Sequence, residues 1–324
     1  MRKRYRILAA LLLAGALAGT AAFYVEHGLY GFNVLLRRGG THFVIVKPDD
    51  ARLSASMRAA LGPVPPNTTA AAPAWHQHEP GLETAELPVV AGDVEVDRLL
   101  LTRIDPAHFR FAVLTASDGN AELADWLAKG KPAVVINGSY FDRRGYPDTP
   151  LKSAGMVSGP SSYSASHGLF SVSPAGDVAI SDLRTVPWRP LFDKARDAMV
   201  SYPLLMARND SPSIRSDRRW LANRSFVAQE QSGRIVLGTT KEAFFSLERL
   251  ATFLRSAPLD LTIALNLDGG PLACHAVRSG SYERDFCGDW ETQTKGDDIL
   301  LLQRVFGTRR WALPIVLAAF PKAK

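Results

Sequence analysis

The sequence predicts an α+β fold: a mixed β-sheet core with hairpins and few helices, preceded by an N-terminal membrane or signal segment. Three observations carry this expectation. Strand-length apolar runs flank short turns, as around Ser173-Pro174-Ala175-Gly176 and Gln231-Ser232-Gly233. An amphipathic helix leads directly into an apolar strand, a βα unit. Only two good helices stand against many strands.

In chain order, residues 7–25 are 19 uncharged residues behind Arg2, Lys3, Arg4 and Arg6. A helix of that length reaches roughly 28 Å, close to the hydrocarbon thickness of a bilayer. The basic cluster is expected to stay in the cytoplasm and send the rest across. The usual twin-arginine context is missing, which favours the general secretory route. Ala16-Leu17-Ala18 and Thr20-Ala21-Ala22 are small-residue sites of the kind a signal peptidase cuts, yet the run is long for a signal peptide. An inner-membrane anchor in residues 1–25, with the domain facing the periplasm, is favoured over a cleaved, secreted or periplasmic form.

Residues 26–61 read as a short N-terminal segment, with a strand at Thr41–Val46 and a helix at 50–61. Residues 62–92 hold Pro63, Pro65, Pro66, Pro73, Pro80 and Pro88 among many alanines and read as a linker. His76-Gln77-His78 inside it reads as a solvated loop rather than a metal site. The main domain is expected over residues 93–320. Val94–Ile104 and Phe109–Thr115 are strands around the Asp105-Pro106 turn. Asn120 caps a short helix bearing Leu123, Trp126 and Leu127, ended by Gly130. Residues 133–136 are apolar without polar alternation, the pattern of a strand covered on both faces.

Gly168–Val172 and 177–180 form a hairpin, 200–206 a strand, and 226–229 with 234–238 a second hairpin. Thr239 and Glu242 match a capping box opening the clearest helix. Its Phe244, Leu247, Leu250, Ala251, Phe253 and Leu254 form a core stripe. Residues 261–267 are another doubly covered strand. Residues 298–305 and 311–320 close the domain, with Pro314 marking the latter as an edge strand.

Apolar content of 46% with 22% charged residues is that of a globular protein. Four of the six net positive charges precede the apolar segment, leaving +2 afterwards. No basic stripe interleaved with aromatics follows, so nucleic acid is not expected as a partner. Cys274 and Cys287, close in an exported chain, are expected to form a disulfide. Closing so short a loop adds ~3 kcal/mol in the chain-entropy picture.

The chemistry concentrates where two apolar strands end. Asn137 is followed by Gly138, and Asp268 by Gly269-Gly270. Singly, each is ordinary turn chemistry. Four segments in order are more specific: Asn137-Gly138-Ser139-Tyr140-Phe141, Pro203-Leu204-Leu205-Met206, Arg224-Ser225 before a strand–turn–strand, and Ala264-Leu265-Asn266-Leu267-Asp268-Gly269-Gly270 after a helix. From about Leu87 to the C-terminus this pattern resembles the phosphodiester glycosidase family, the domain type of the uncovering enzyme that removes N-acetylglucosamine from phosphodiester-linked mannose. Ser139 stands where the family has a second glycine, and Pro271-Leu272 where it has Gly-Ser.

The resemblance implies cleavage of a sugar–phosphate linkage. That chemistry needs a carboxylate for the oxocarbenium-like centre and a guanidinium, whose planar fork fits two phosphate oxygens. Asp268 is the expected carboxylate, Arg224 the phosphate binder, and Asn137 holds a sugar hydroxyl or orients a water. Asp142 is the candidate second carboxylate. Lys152, Ser153, His167, Gly269, Gly270 and His275 are candidate substrate contacts. No His–carboxylate cluster has metal-ligand spacing, so no cofactor is expected, although Asp268 with Asn137 is compatible with a divalent cation. A Gly-x-Ser-x-Gly elbow is absent, which disfavours a serine esterase.

The expected function is extracytoplasmic hydrolysis of a sugar phosphodiester or a related envelope or exopolysaccharide glycan. The partners are then a glycan or glycosyl-phosphate substrate and, through the N-terminal segment, a membrane. The alternative is a non-catalytic glycan- or phosphate-binding envelope protein on the same scaffold, which the Pro271-Leu272 substitution favours.

Overall fold

The computed structural model describes residues 2–62, 67–116, 118–163, 167–208, 214, 220–305 and 310–322. Two antiparallel sheets packed face to face form its centre. One has seven strands, in the order Leu204–Met206, Leu261–Asn266, Ser225–Glu230, Ile235–Thr240, Val94–Ile104, Leu82–Ala91 and His76–Glu79. The facing sheet has five: Tyr282–Cys287, Cys274–Ser279, Val134–Asn137, Ile315–Pro321 and Phe109–Thr115. A second five-stranded sheet, containing Leu151–Ser153, Gly168–Val172 and Asp197–Ser201, closes one side. A four-stranded sheet pairs Thr41–Val46 with Asp298–Arg304.

The uninterrupted apolar runs follow from this layering. Val134 and Ile136 point into the core between the sheets, while Val135 faces outward onto Trp126 and the Cys274–Cys287 pair. Val227 and Leu265 likewise face that central core, and Phe226, Ala228 and Ala264 face helix Leu247–Ser256. Side chains alternate between two faces, and here both faces are covered, so neither needs polar residues.

The α+β class with hairpins and few helices is the architecture observed, and the expected strands at Thr41–Val46, Val94–Ile104, Phe109–Thr115 and Gly168–Val172 form as read. Every strand pair among the described residues is antiparallel. The βα unit is nonetheless real. Ile235–Thr240 and Leu261–Asn266, joined through the helix, both pair antiparallel with Ser225–Glu230, so they point the same way with that strand between them. Cys274 and Cys287 face each other across adjacent strands and are disulfide-bonded.

Several boundaries differ from expectation. Residues 62–92 are not simply a linker: His76–Glu79 and Leu82–Ala91 are strands, with Leu82, Ala85, Leu87 and Val89 buried. Pro88 is tolerated because the flanking strand His76–Glu79 pairs no further along than Leu82–Thr84, so its missing N–H faces no ladder there. Pro63, Pro65 and Pro66 lie outside the described residues. His78 is a strand residue bonded to Thr84 at 2.7 Å and stacked on Tyr282. Residues 26–61 are no separate segment either, since Thr41–Val46 joins a sheet and Met57 is buried.

Thr239 does not cap the helix. It lies in strand Ile235–Thr240, and Ser246 accepts the cap bond from Arg249 N–H. The intervening turn is held by the buried Asp97 carboxyl, which accepts from Glu242 and Phe244 N–H. The short helix Leu123–Ala128 starts from Glu122, not Asn120, with Glu122 N–H donating to Asp125. Residues 200–206 split between two sheets on either side of Tyr202-Pro203.

Near the N-terminus, helix Arg2–Arg37 breaks at Gly28, whose φ of 63° lies in the left-handed region. Before the break the helix is exposed and is long and apolar enough to cross a membrane. After it, the chain folds onto the domain, burying Tyr30 and Arg38.

Candidate active site

Strand Val134–Asn137 and strand Leu261–Asn266 belong to opposing sheets and end at the same rim. There the two loops join: Asp268 N–H donates to Gly138 carbonyl at 2.9 Å. Asn137 completes the junction. Its Nδ2 donates to Asp268 carbonyl at 2.7 Å, and its Oδ1 accepts from Cys274 N–H at 3.2 Å. With both ends of its amide engaged on backbone, Asn137 positions the loop rather than presenting a group to the hollow. That corrects its expected sugar- or water-binding role.

Asp268 sits low in a crowded hollow with a partly exposed edge. Removal from water pushes its pKa from 3.8 up to about 8, with Glu291 and Asp148 adding to the rise. The Gly269 N–H, donating to Oδ1 at 2.8 Å, and the Arg224 guanidinium oppose it. The acid therefore holds its proton near neutrality, whereas the sequence suggested an ionised carboxylate.

Arg224 is buried at the head of strand Ser225–Glu230. Its Nε donates to Phe245 carbonyl at 3.2 Å and Nη2 to Trp220 carbonyl at 2.7 Å. Nη1 turns toward Gly269, where a Cβ would lie 3.6 Å away. Burial lowers its pKa, and Tyr140, Glu291 and Asp268 counter that. Arginine stays charged under such conditions.

The two glycines are dictated by close approach. A Cβ on Gly269 would meet Asn223 carbonyl at 2.8 Å, and one on Gly270, at φ +62°, would meet Glu291 Oε2 at 2.6 Å. Gly270 opens a single 3-10 turn, Gly270–Leu272, with Pro271 buried. Glu291 itself accepts from Trp220 Nε1 at 3.0 Å, and burial raises its pKa.

One wall is aromatic. Tyr140 stacks on Tyr202 with centroids 4.4 Å apart, and His167 follows at 5.2 Å from Tyr202. Asn266 Nδ2 ties Tyr140 Oη at 2.7 Å and Tyr202 carbonyl at 3.0 Å. Tyr30, from beyond the helix break, packs edge-on against Phe141 at 5.0 Å and lies within electrostatic reach of Asp268. Three buried polar atoms in this neighbourhood, Tyr30 Oη, Ser139 Oγ and Asn266 Oδ1, have no protein partner. A polar ligand or water is what such atoms require.

The sequence candidates thus separate. Asp268, Arg224, Gly269 and Gly270 converge, and His167 joins the aromatic wall through Tyr202. Asp142 is exposed, and its Oδ1 accepts from Arg144 and Tyr146 N–H, shaping its own loop. Lys152 Nζ caps helix Trp188–Lys194 through three carbonyls, the nearest at 2.7 Å. Ser153, its neighbour, is buried on the same strand. His275 points between the sheets onto Thr102 at 3.0 Å, fully buried with its pKa driven far down, because the strand alternation that buries it turns it from the rim.

Glu291, Asp148, Tyr202, Asn266 and Tyr30 were not singled out from sequence. Asn266 and Tyr202 lie inside or beside the quoted motifs, while Glu291 and Tyr30 carry no local signal. Among the described residues no group of three or more His, Cys, Asp or Glu is placed to hold a metal. A groove of about 980 Å³ beside helix Leu247–Ser256 is lined by none of these residues.

The phosphodiester glycosidase family matches residues 130–291, half of the chain, which contains both converging loops and Arg224. The chain belongs to the phosphodiester glycosidase family. Among solved structures, the catalytic domain of zebrafish N-acetylglucosamine-1-phosphodiester alpha-N-acetylglucosaminidase, auto-inhibited by its pro-peptide, is 18% identical with a TM-score of 0.53. That match covers 80% of this chain and 89% of that one. A hypothetical protein from Synechocystis is 15% identical with a TM-score of 0.46, covering 72% of this chain and 64% of that one. A Burkholderia pseudomallei protein described as exported is 10% identical with a TM-score of 0.41, covering 69% and 74%. No curated protein sequence matches. The apolar helix and the disulfide together mark a membrane-anchored or secreted phosphodiester glycosidase.

Proposed function

We propose that this phosphodiester glycosidase hydrolyses an envelope sugar phosphodiester on the periplasmic side of the membrane, with Arg224 binding the phosphate and Asp268 supplying the proton. The observation that carries this reading is the convergence of the Asp268 carboxyl, whose pKa burial pushes up to about 8, with the buried Arg224 guanidinium, whose Nη1 turns toward Gly269. A phosphodiester is an anion, and an ionised carboxylate in the same hollow would repel it. A neutral carboxyl removes that repulsion, leaving Arg224 to attract the substrate.

The reaction breaks the bond between the anomeric carbon and the bridging oxygen. The bonding electrons leave with that oxygen, which takes the Asp268 proton. Water adds to the anomeric carbon, and its surplus proton returns to the carboxylate. Free sugar and a phosphomonoester result. Tyr202 and His167, inclined to one another by 37°, edge the wall against which the sugar ring would lie, and Asn137 with Gly269-Gly270 sets the height of Asp268.

The test is hydrolysis of a panel of chromogenic sugar 1-phosphodiesters, beginning with N-acetylglucosamine because the zebrafish enzyme's name specifies it. Turnover that Asp268→Asn and Arg224→Ala both abolish is the expected result. Equal rates for all three proteins refute the proposal. One feature favours a binding protein instead: Pro271 offers no N–H and Leu272 no hydroxyl in the turn after Gly270. Calorimetric binding without turnover across the panel would establish that second reading.

A further inference from the structure

We propose that the substrate's other ester arm is a lipid, so that the enzyme takes a glycosyl phosphodiester directly from the bilayer its helix crosses. This rests on the hydrolase reading above and adds where the substrate comes from. The carrying observation is the position of the site relative to the helix exit.

The uncharged run ends at Val25. The Val25 carbonyl accepts a hydrogen bond from the Arg144 guanidinium, and Glu26 pairs with Arg143 at 3.1 Å. Both arginines belong to the loop that begins at Asn137 and carries Tyr140 and Phe141. Gly28 then breaks the helix with its Cα against Arg144, where an added Cβ would lie 3.2 Å from the arginine Cβ. Two residues later Tyr30 reaches Phe141 and the surroundings of Asp268. The chain therefore passes from the end of the membrane run to the catalytic hollow in five residues.

At about 1.5 Å per residue up to Gly28 and at most about 3.5 Å per residue beyond it, that is a climb of no more than ~12 Å. The headgroup layer on each side of the hydrocarbon is roughly 5–7 Å deep. The hollow thus stands within or just above the headgroup layer, within reach of the sugar and phosphate of a lipid-linked glycosyl phosphodiester. A soluble glycan would have no need of so low a site.

The surface around the exit suits that boundary. Tyr24, Leu29 and Tyr146 are each half or more exposed, and Arg143 is 73% exposed on its side chain. Aromatic rings and arginines are the side chains that settle at a lipid–water interface. Hydrolysis would release the sugar to the aqueous side and leave a lipid phosphomonoester in the membrane, with one water consumed.

The experiment uses the full chain reconstituted in phosphatidylcholine vesicles with two N-acetylglucosamine 1-phosphodiesters, one bearing a methyl and one a hexadecyl arm. Confinement of the second to the bilayer should raise its kcat/KM over the methyl ester by about tenfold or more. A companion protein carries a Gly/Ser insertion of about twelve residues between Val25 and Glu26, which lifts the domain by up to roughly 20 Å. It should keep methyl-ester hydrolysis and lose the lipid preference.

Equal use of the two esters, or preference for the methyl ester, overturns the lipid inference and leaves the hydrolase reading standing. A lipid preference that survives the insertion overturns it too, because the preference then owes nothing to membrane height. No turnover of either ester overturns the lipid inference, and the hydrolase reading falls with it only when the wider sugar panel is inert as well.

Discussion

Replacing Asp268 by Asn should stabilise the protein at alkaline pH while abolishing its activity. In the unfolded chain this carboxyl releases its proton near 3.8, and in the folded protein near 8. Between those values the folded state holds a proton that the unfolded state has released. Stability therefore falls as pH rises through this window and is level outside it. From pH 5 to pH 9 about three pH units lie inside, a ceiling of about 4 kcal/mol. The carboxyl keeps an exposed edge, which brings the expected loss to about 2 kcal/mol. Asparagine has no proton to lose, and its oxygen still accepts from Gly269 N–H.

The melting temperature of Asp268→Asn relative to wild type should accordingly grow by about 4–8 °C between pH 5 and pH 9, for a domain of this size. Scanning calorimetry of the detergent-solubilised full chain at the two pH values measures it. The same pairs of samples should show wild-type turnover declining above about pH 8, as expected when the protonated form is the active one. A melting difference independent of pH would refute the claim that burial keeps this acid neutral, and with it the argument for its role as donor.

Arg224→Lys keeps the charge but loses the fork that also holds Phe245 and Trp220 carbonyls, so KM for a phosphodiester should rise by about tenfold in steady-state assays. Asn137→Ala leaves Cys274 N–H and the Asp268 carbonyl without their partner, and should cost about 2–3 kcal/mol by urea denaturation. Tyr202→Ala removes the ring between Tyr140 and His167, and should weaken sugar binding by about tenfold, read as KM, with less effect on kcat.

Much of the fold was legible because strand patterns are local. Residues 133–136 announce a doubly buried strand by their lack of polar alternation, and Val134, Val135 and Ile136 fill cores on both sides. The βα unit was legible as a helix followed by a strand. That an antiparallel partner would slip between the two parallel strands was not, since nothing in either strand encodes its neighbour. The Pro- and Ala-rich stretch misled for the same reason. Its composition speaks for a linker, yet residues 82–91 find a ten-residue partner in Val94–Ile104. Thr239 fits a helix cap by its own sequence, yet the ladder of Ile235–Thr240 claims it as a strand residue, and the helix starts later at Ser246.

In the proposed site, motif order singled out Asp268, Arg224 and the two glycines, which the fold brings to one rim. It could not tell which side chains would spend themselves on the backbone. Asn137, Asp142 and Lys152 all do, since a buried or loop-forming polar group satisfies the nearest main chain first. Tyr30 and Glu291 reach the hollow from far along the chain and had no local mark.

The amino-acid order by itself determined the membrane-length run, the disulfide pair, the strand periods and the family. Only the tertiary structure decided how far Asp268 is removed from water and which loop lies against the helix exit. Both depend on neighbours brought from elsewhere in the chain. The surrounding walls remove the acid from water while Glu291 and Asp148 add like charge, and the bend at Gly28 sets the loop that begins at Asn137 against the end of the apolar run.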